Sequence, residues 1–211
     1  MKLPVLTTLL VFIAWLTVKL SQGKKEQQQV MDEYWKKEEA ANAVRRQSLD
    51  DLNYISFPFS LLPDEESFTS EGQNIPSSLL MLKSLQGKKI VNLNNISNTD
   101  LKLRYGTTNI TTLTEFDENF ITLCREGHLF TEYLYDTERL EESKLLSEAL
   151  IKCGSDVSSQ YTLLWKIYDK LGLPDKKLEL KLIAEGLESS RKNSIIKALT
   201  ALEEEPEPQQ Q

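Results

Sequence analysis

The chain has 211 residues, 40% hydrophobic and 27% charged, which suffices for one globular domain plus extras. That composition excludes a collagen, a long disordered tail and a polytopic membrane protein. Charge is uneven: up to Gln47 there are eight Lys/Arg against five Asp/Glu, and from Ser48 on 17 against 27. An acidic body repels phosphate backbones, so no nucleic acid is expected as a partner. Two cysteines and a single histidine leave almost no room for a disulfide framework or a metal site, and no cofactor is expected.

Residues 1–20 read as a transmembrane anchor. Leu3 to Val18 carries no charge, and Lys19 and Leu20 close the run. With Lys19 snorkelling, Leu3–Leu20 spans about 27 Å as a helix, just adequate for a hydrocarbon core of about 30 Å. Trp15 lies near one interface, where indoles prefer to sit. The competing reading is a cleaved signal peptide with Met1-Lys2 as its charged start. Its exit should carry small residues, and Ser21-x-Gly23 meets that only marginally. Lys19, Lys24, Lys25, Lys36 and Lys37 follow the run while Lys2 stands alone before it. The positive-inside rule therefore expects a single pass through the cell membrane with the body cytoplasmic. The sequons Asn95-Ile96-Ser97 and Asn109-Ile110-Thr111 bear only on a secreted eukaryotic protein.

Residues 21–47 are expected to form a juxtamembrane helix. Lys24 to Gln47 has no Pro or Gly and is rich in helix formers, with Glu33 and Lys37 one turn apart. A solvated stalk is the simpler reading. The sharper one lays this helix on anionic headgroups with Tyr34 and Trp35 in the interface, and five interleaved acids weaken it.

Residues 48–112 read as an irregular, helix-containing cap segment. An apolar extended strap runs from Tyr54 to Pro63, and its two prolines keep it out of a central strand. A charged loop is expected from Asp64 to Gln73. A helix over 77–86 is expected, capped by Asn74 with Pro76 just inside and stopped by Gly87. Ile90 to Leu93 suits a short strand, and Asn98 to Tyr105 a short helix ended by Gly106.

Residues 113–203 are plainly helical. Thr112 or Thr114 is placed to cap, with Glu115, Asp117 and Glu118 in the first turn. Five amphipathic segments follow, with stripes such as Leu146, Ala149, Leu150, Cys153 and Leu180, Ile183, Ala184, Leu187. They are separated by breaks near 135–139, 154–159, 172–175 and 189–191, which predicts antiparallel stacked helices. Residues 204–211 form an acidic tail expected to be disordered. The fold class is thus mainly α.

Tyr161, Leu164, Trp165, Tyr168 and Gly172, with Ala184 beyond, resemble one tetratricopeptide repeat. A poorer unit lies 34 residues earlier at Gly127, Phe130, Leu134, Ala149 and Leu150. The resemblance implies paired helices with a terminal capping helix at 192–202. Trp165 stands where that family has a small residue, and Lys177 and Lys181 where it has alanine and an aromatic. The string from Ser48 to Pro63 and that from Ile96 to Gly106 also resemble a group of short membrane-anchored clostridial proteins, which implies no particular activity.

Catalytic chemistry finds little footing. His128 has no second histidine beside it, Cys124 and Cys153 fall on apolar stripes, and the paired acids sit in turns. Trp165 and Tyr168 are expected in the core, with Phe120 and Leu150 nearby. If the repeat-like pairs line a groove, the resemblance puts Arg125, His128, Lys166 and Lys170 on it, suited to an acidic peptide or a C-terminal carboxylate. The expected function is a non-enzymatic, membrane-tethered adaptor whose partners are the lipid bilayer and another protein. The alternatives are an extracytoplasmic structural protein with a cleaved leader, or a carboxylate-dependent enzyme.

Overall fold

The computed structural model describes residues 3–70 and 74–204, with side chains from 12 to 68 and from 74 to 204. Among the described residues there are nine α-helices and no strand. They are α1 (Leu3–Asn42), α2 (Glu65–Ser70), α3 (Ser77–Lys83), α4 (Asn98–Tyr105), α5 (Ile110–Asp136), α6 (Leu140–Lys152), α7 (Ser158–Lys170), α8 (Pro174–Glu185) and α9 (Lys192–Glu204). The chain divides into two compact units, residues 3–49 with 96–110 and residues 50–95 with 111–204. The stretch 48–112, taken above as one segment, is therefore shared between them.

The first unit pairs α1 with α4. Ser97 caps α4 by accepting the Asp100 N–H at 3.1 Å. Glu38 of α1 accepts from Thr99 Oγ1 at 2.7 Å and is ion-paired with Lys102, while Lys37 pairs with Asp100 at 2.7 Å. These contacts hold both carboxyls below their ordinary range, chiefly through Lys102 for Glu38 and Lys37 for Asp100. Gly106 ends α4 with φ of 83°, and a Cβ there would stand 2.5 Å from the Arg45 carbonyl oxygen. Asn109 is fully buried. Its Nδ2 donates to Gln47 O and Tyr105 O at 2.7 and 2.8 Å, and its Oδ1 accepts from Arg46 Nε at 3.2 Å.

Among the described residues no helix is long and apolar enough to cross a membrane. The anchor expected over 1–20 lies partly outside the described residues and side chains. What is described of it is helical, and Phe12, Ile13, Trp15, Leu16, Val18 and Leu20 are all exposed.

The second unit carries two hydrophobic clusters. One gathers Phe57, Phe68, Leu79, Leu82, Ile90 and the inner faces of α5 and α6. The other gathers Tyr161, Leu164, Trp165, Tyr168, Leu180, Ile195 and Leu199 from α7, α8 and α9. Trp165 and Tyr168 are buried, but Phe120 and Leu150 belong to the first cluster rather than to theirs. α5 and α6 are antiparallel, with Gly127 against Leu150 and Thr131 O accepting from Ser143 Oγ. α7 lies parallel to α5, with partners 31 or 32 residues apart. Lys177 and Lys181 stand 4.8 and 5.9 Å from the Trp165 ring. A large ring and two long stems thus fill the seam between α7 and α8.

Several local expectations change. The loop from 64 contains α2, because Phe68 inserts fully into the core. α3 has Pro76, not Asn74, at its N-cap and ends at Lys83, before the left-handed Gly87. The strand at 90–93 reduces to a bridge between Tyr54 and Val91, since Val91 N donates instead to Phe116 O. Neither Thr112 nor Thr114 caps α5, because a 3-10 turn at Thr107–Asn109 feeds directly into Ile110. Ile183 is exposed rather than packed with Leu180 and Ala184. The acidic tail lies, from residue 205, outside the described residues.

Candidate functional site

The four groove residues read from the sequence occupy three settings. Arg125 on α5 is exposed, and its Nε donates to Glu126 Oε1 at 2.9 Å. Lys166 and Lys170 share the exposed side of α7 one turn apart. Lys170 reaches the α5–α6 connection, where it pairs with Glu138 at 2.9 Å and stands 4.3 Å over the Tyr135 ring. The bond to Glu138 raises the Lys170 ammonium above its ordinary value.

His128 belongs to a polar seam. The Gln160 side chain is fully buried and donates from Nε2 to Ser147 Oγ at 2.7 Å. That bond orients the amide so that its Oε1 faces His128 Nδ1 at 3.1 Å, making Nδ1–H the donor. His128 Nε2 then accepts from Ser159 Oγ at 2.7 Å. One imidazole thereby ties α5 to the first turn of α7, and the buried amide carries the tie on to α6. A serine–imidazole contact is what an acyl-transfer nucleophile uses, but here the third group is a neutral amide shared with α6. The arrangement is a structural seam.

A cleft of about 380 Å³ opens beside this seam. Phe120, Cys124 and Val157 form its apolar floor, with Ile121 at its exposed edge. Asn94 and Asn95 border it from one loop, and Ser189, Ser190 and Arg191 from the turn that starts α9. Arg125 and Asp156 complete the lining. The walls are fixed by local bonds. Ser189 Oγ donates to Asp156 Oδ2 at 2.5 Å and accepts the Arg191 N–H at 3.1 Å. Asn95, in a left-handed conformation with φ of 70°, donates from Nδ2 to Glu188 O at 3.3 Å. Sequence reasoning reached Arg125 through its helical position. It missed Asn94, Asn95, Asp156, Ser189 and Arg191, which stand on connections where no periodicity marks a face.

The thiols are poor reagents. Both cysteines are free, and burial pushes Cys124 up to about 12 and raises Cys153 as well. Among the described residues no group of three His, Cys, Asp or Glu could hold a metal ion. Glu142 is engaged by Arg139 at 2.7 Å, and Glu141 by Lys144. No protein-family model, curated protein or solved structure matches this chain.

Proposed function

We propose that this chain is a membrane-tethered adaptor whose helical body binds another protein on the cytoplasmic side. The observation that carries the reading is the helix α1. Its apolar residues from Phe12 to Leu20 are exposed to water, and the charge-free run continues upstream in the sequence to Leu3. An exposed apolar helical surface of this kind is stable once lipid covers it. Lys19, Lys24 and Lys25 then hold the following residues in the cytoplasm. For the body, a tetratricopeptide-like arrangement is supported by the parallel α5 and α7, whose partners stand close to one repeat period of about 34 residues apart.

The test is fractionation of cells expressing the full chain, combined with a reporter fused after Gln211. The anchored reading expects carbonate-resistant membrane protein and a cytoplasmic reporter. Mature protein in the medium beginning near Lys24 would replace it with the cleaved, extracytoplasmic reading. Crosslinking in the native membrane then tests the adaptor role, by recovery of a protein partner.

A further inference from the structure

Where its apolar run ends, α1 carries a compact group of cations. Lys19, Lys24 and Lys25 are exposed and have no ion-pair partner among the described residues. At 3.6 residues per turn they leave the helix about 140°, 100° and 120° apart, so they ring it instead of marking one face. With Leu20 at the hydrocarbon edge, Lys24 and Lys25 stand about 6 and 8 Å beyond it. That is within the reach of a headgroup layer about 5–8 Å deep, which Lys19 enters by snorkelling. Glu26 is the first acid, about 9 Å beyond Leu20, and it lowers the net charge of this group from three to two. The next acid is Asp32, about 10 Å past Lys25 and so beyond one screening length of about 8 Å. Residues 27–47 carry four Lys/Arg against four Asp/Glu, and the chain from Ser48 on 17 against 27. Neither stretch adds a net attraction to an anionic surface.

We propose that this ring selects anionic phospholipids as the lipids bordering α1, with the three ammonium groups on headgroup phosphates that keep a net negative charge. A zwitterionic headgroup offers the same phosphate with a cation beside it, so the ring gains less from it. Cations on every side engage the lipids around an upright span, whereas a helix lying on the surface needs them on one face. This inference rests on the anchored reading of α1 and names the lipid class that the end of its apolar run meets.

The test reconstitutes the full chain in mixed vesicles of phosphatidylcholine and phosphatidylglycerol, one or the other carrying brominated acyl chains, and reads the quenching of Trp15. Bromine quenches only near contact. Trp35, about 22 Å beyond Leu20, and the buried Trp165 therefore form a constant background. At low salt phosphatidylglycerol is expected to have an advantage of at least about threefold, shrinking toward parity in about 0.5 M salt. Lys19→Gln/Lys24→Gln/Lys25→Gln should abolish the advantage while quenching by brominated phosphatidylcholine and circular dichroism stay unchanged. Lys36→Gln, whose cation lies about 24 Å beyond Leu20, should keep it. Equal quenching in the wild type, an advantage that survives either high salt or the triple substitution, or one lost in Lys36→Gln would each overturn the ring and keep the anchor. No quenching of Trp15 by either lipid, with the chain left behind when the vesicles are floated, would overturn the anchored reading and the ring together.

Discussion

A methyl group added at Gly127 would stand 2.5 Å from Leu150 Cδ2 and 2.7 Å from Cδ1, and Leu150 has no exposed surface into which to retreat. Gly127 is therefore the close-approach point of α5 and α6. Alanine there gains about 1 kcal/mol of helix propensity but overpacks a filled core, which typically costs about 1–3 kcal/mol. Gly127→Ala is expected to destabilise the protein by about 1 kcal/mol net in urea melts. Leu150→Ala alone should cost about 2–5 kcal/mol. In the double variant the new methyl faces the vacated space, so the loss should fall short of the sum of the two singles. Strict additivity would show that the two side chains do not meet. Titration gives a second prediction at this scale. Burial lifts Cys124 from 9.0 to about 12 and Tyr161 from 10.0 to about 12. Both are neutral when protonated, so between the unfolded and folded values the folded state holds the extra proton. Stability is then full below about pH 9 and falls above it. Each group adds a slope of about 1.4 kcal/mol per pH unit, Cys124 first and Tyr161 from about pH 10. Denaturant midpoints that stay flat from pH 8 to 11 would contradict this burial. Asn109 shows the same economy of space. All its side-chain bonds are made inside the first unit, so its sequon offers no free amide for a glycan in the folded chain.

A helix of six residues is far too short to hold itself together in water, so α2 needs an external reason to exist. Phe68 supplies it. The ring has no exposed surface, lies 6.3 Å from Phe130 and 6.0 Å from Tyr133, and carries the Arg139 guanidinium 4.8 Å from its centre. Phe68→Ala is expected to cost about 3–5 kcal/mol and to release α2, seen as new proteolytic cutting around residues 64–70 with α7 still protected. Unchanged resistance would mean that α2 is held by something other than this ring. The same residue shows why α2 was illegible. One phenylalanine among acids, serines and glycine has no period, so neither the helix nor its burial leaves a pattern in the sequence. α6, α7 and α9 repeat their apolar residues at three and four positions over 13 residues each, and there sequence and structure agree nearly to the residue. α4 was equally legible from Asn98 to Tyr105, because Gly106 marks its end chemically, although its Ser97 cap went unread. The cleft was not. Of its lining only the α5 residues sit on a periodic face, and the rest come from the connections before α4, between α6 and α7, and between α8 and α9.

α1 runs unbroken from Leu3 to Asn42, which bears on the stalk and on what its far end supports. Trp35 lies 15 residues beyond Leu20, about 22 Å along the axis at 1.5 Å per residue. With Leu20 at the edge of the hydrocarbon, a continuous helix leaving the bilayer carries Tyr34 and Trp35 out of the headgroup layer. Under the proposed anchoring, this continuous helix is a stalk rather than a helix lying on the surface. At that far end α1 meets a segment distant in sequence, since residues 96–110 belong to its unit. Three hydrogen bonds join the residues just after α1 to that segment, two of them through backbone atoms. Gln47 N donates to Tyr105 O at 3.0 Å, Asn109 Nδ2 donates to Gln47 O, and Arg46 Nε donates to Asn109 Oδ1. At about 1 kcal/mol net for each bond, removing their partners withdraws about 3 kcal/mol, or roughly a hundredfold in the local opening equilibrium. A chain truncated to begin at Lys24 keeps Arg46 and Gln47, as well as Glu38 and its bonds to Thr99 and Lys102. One beginning at Asp50 loses them all. Hydrogen exchange should therefore show amides of residues 98–109 protected alike in the full and Lys24 chains, and exchanging about a hundredfold faster in the Asp50 chain. Amides of α6 and α7, whose bonds lie in the other unit, should keep their protection in all three. Equal protection of residues 98–109 in the Asp50 chain would mean that α4 stands without α1, and the stalk would then be an attachment to the body's neighbour segment rather than part of its fold.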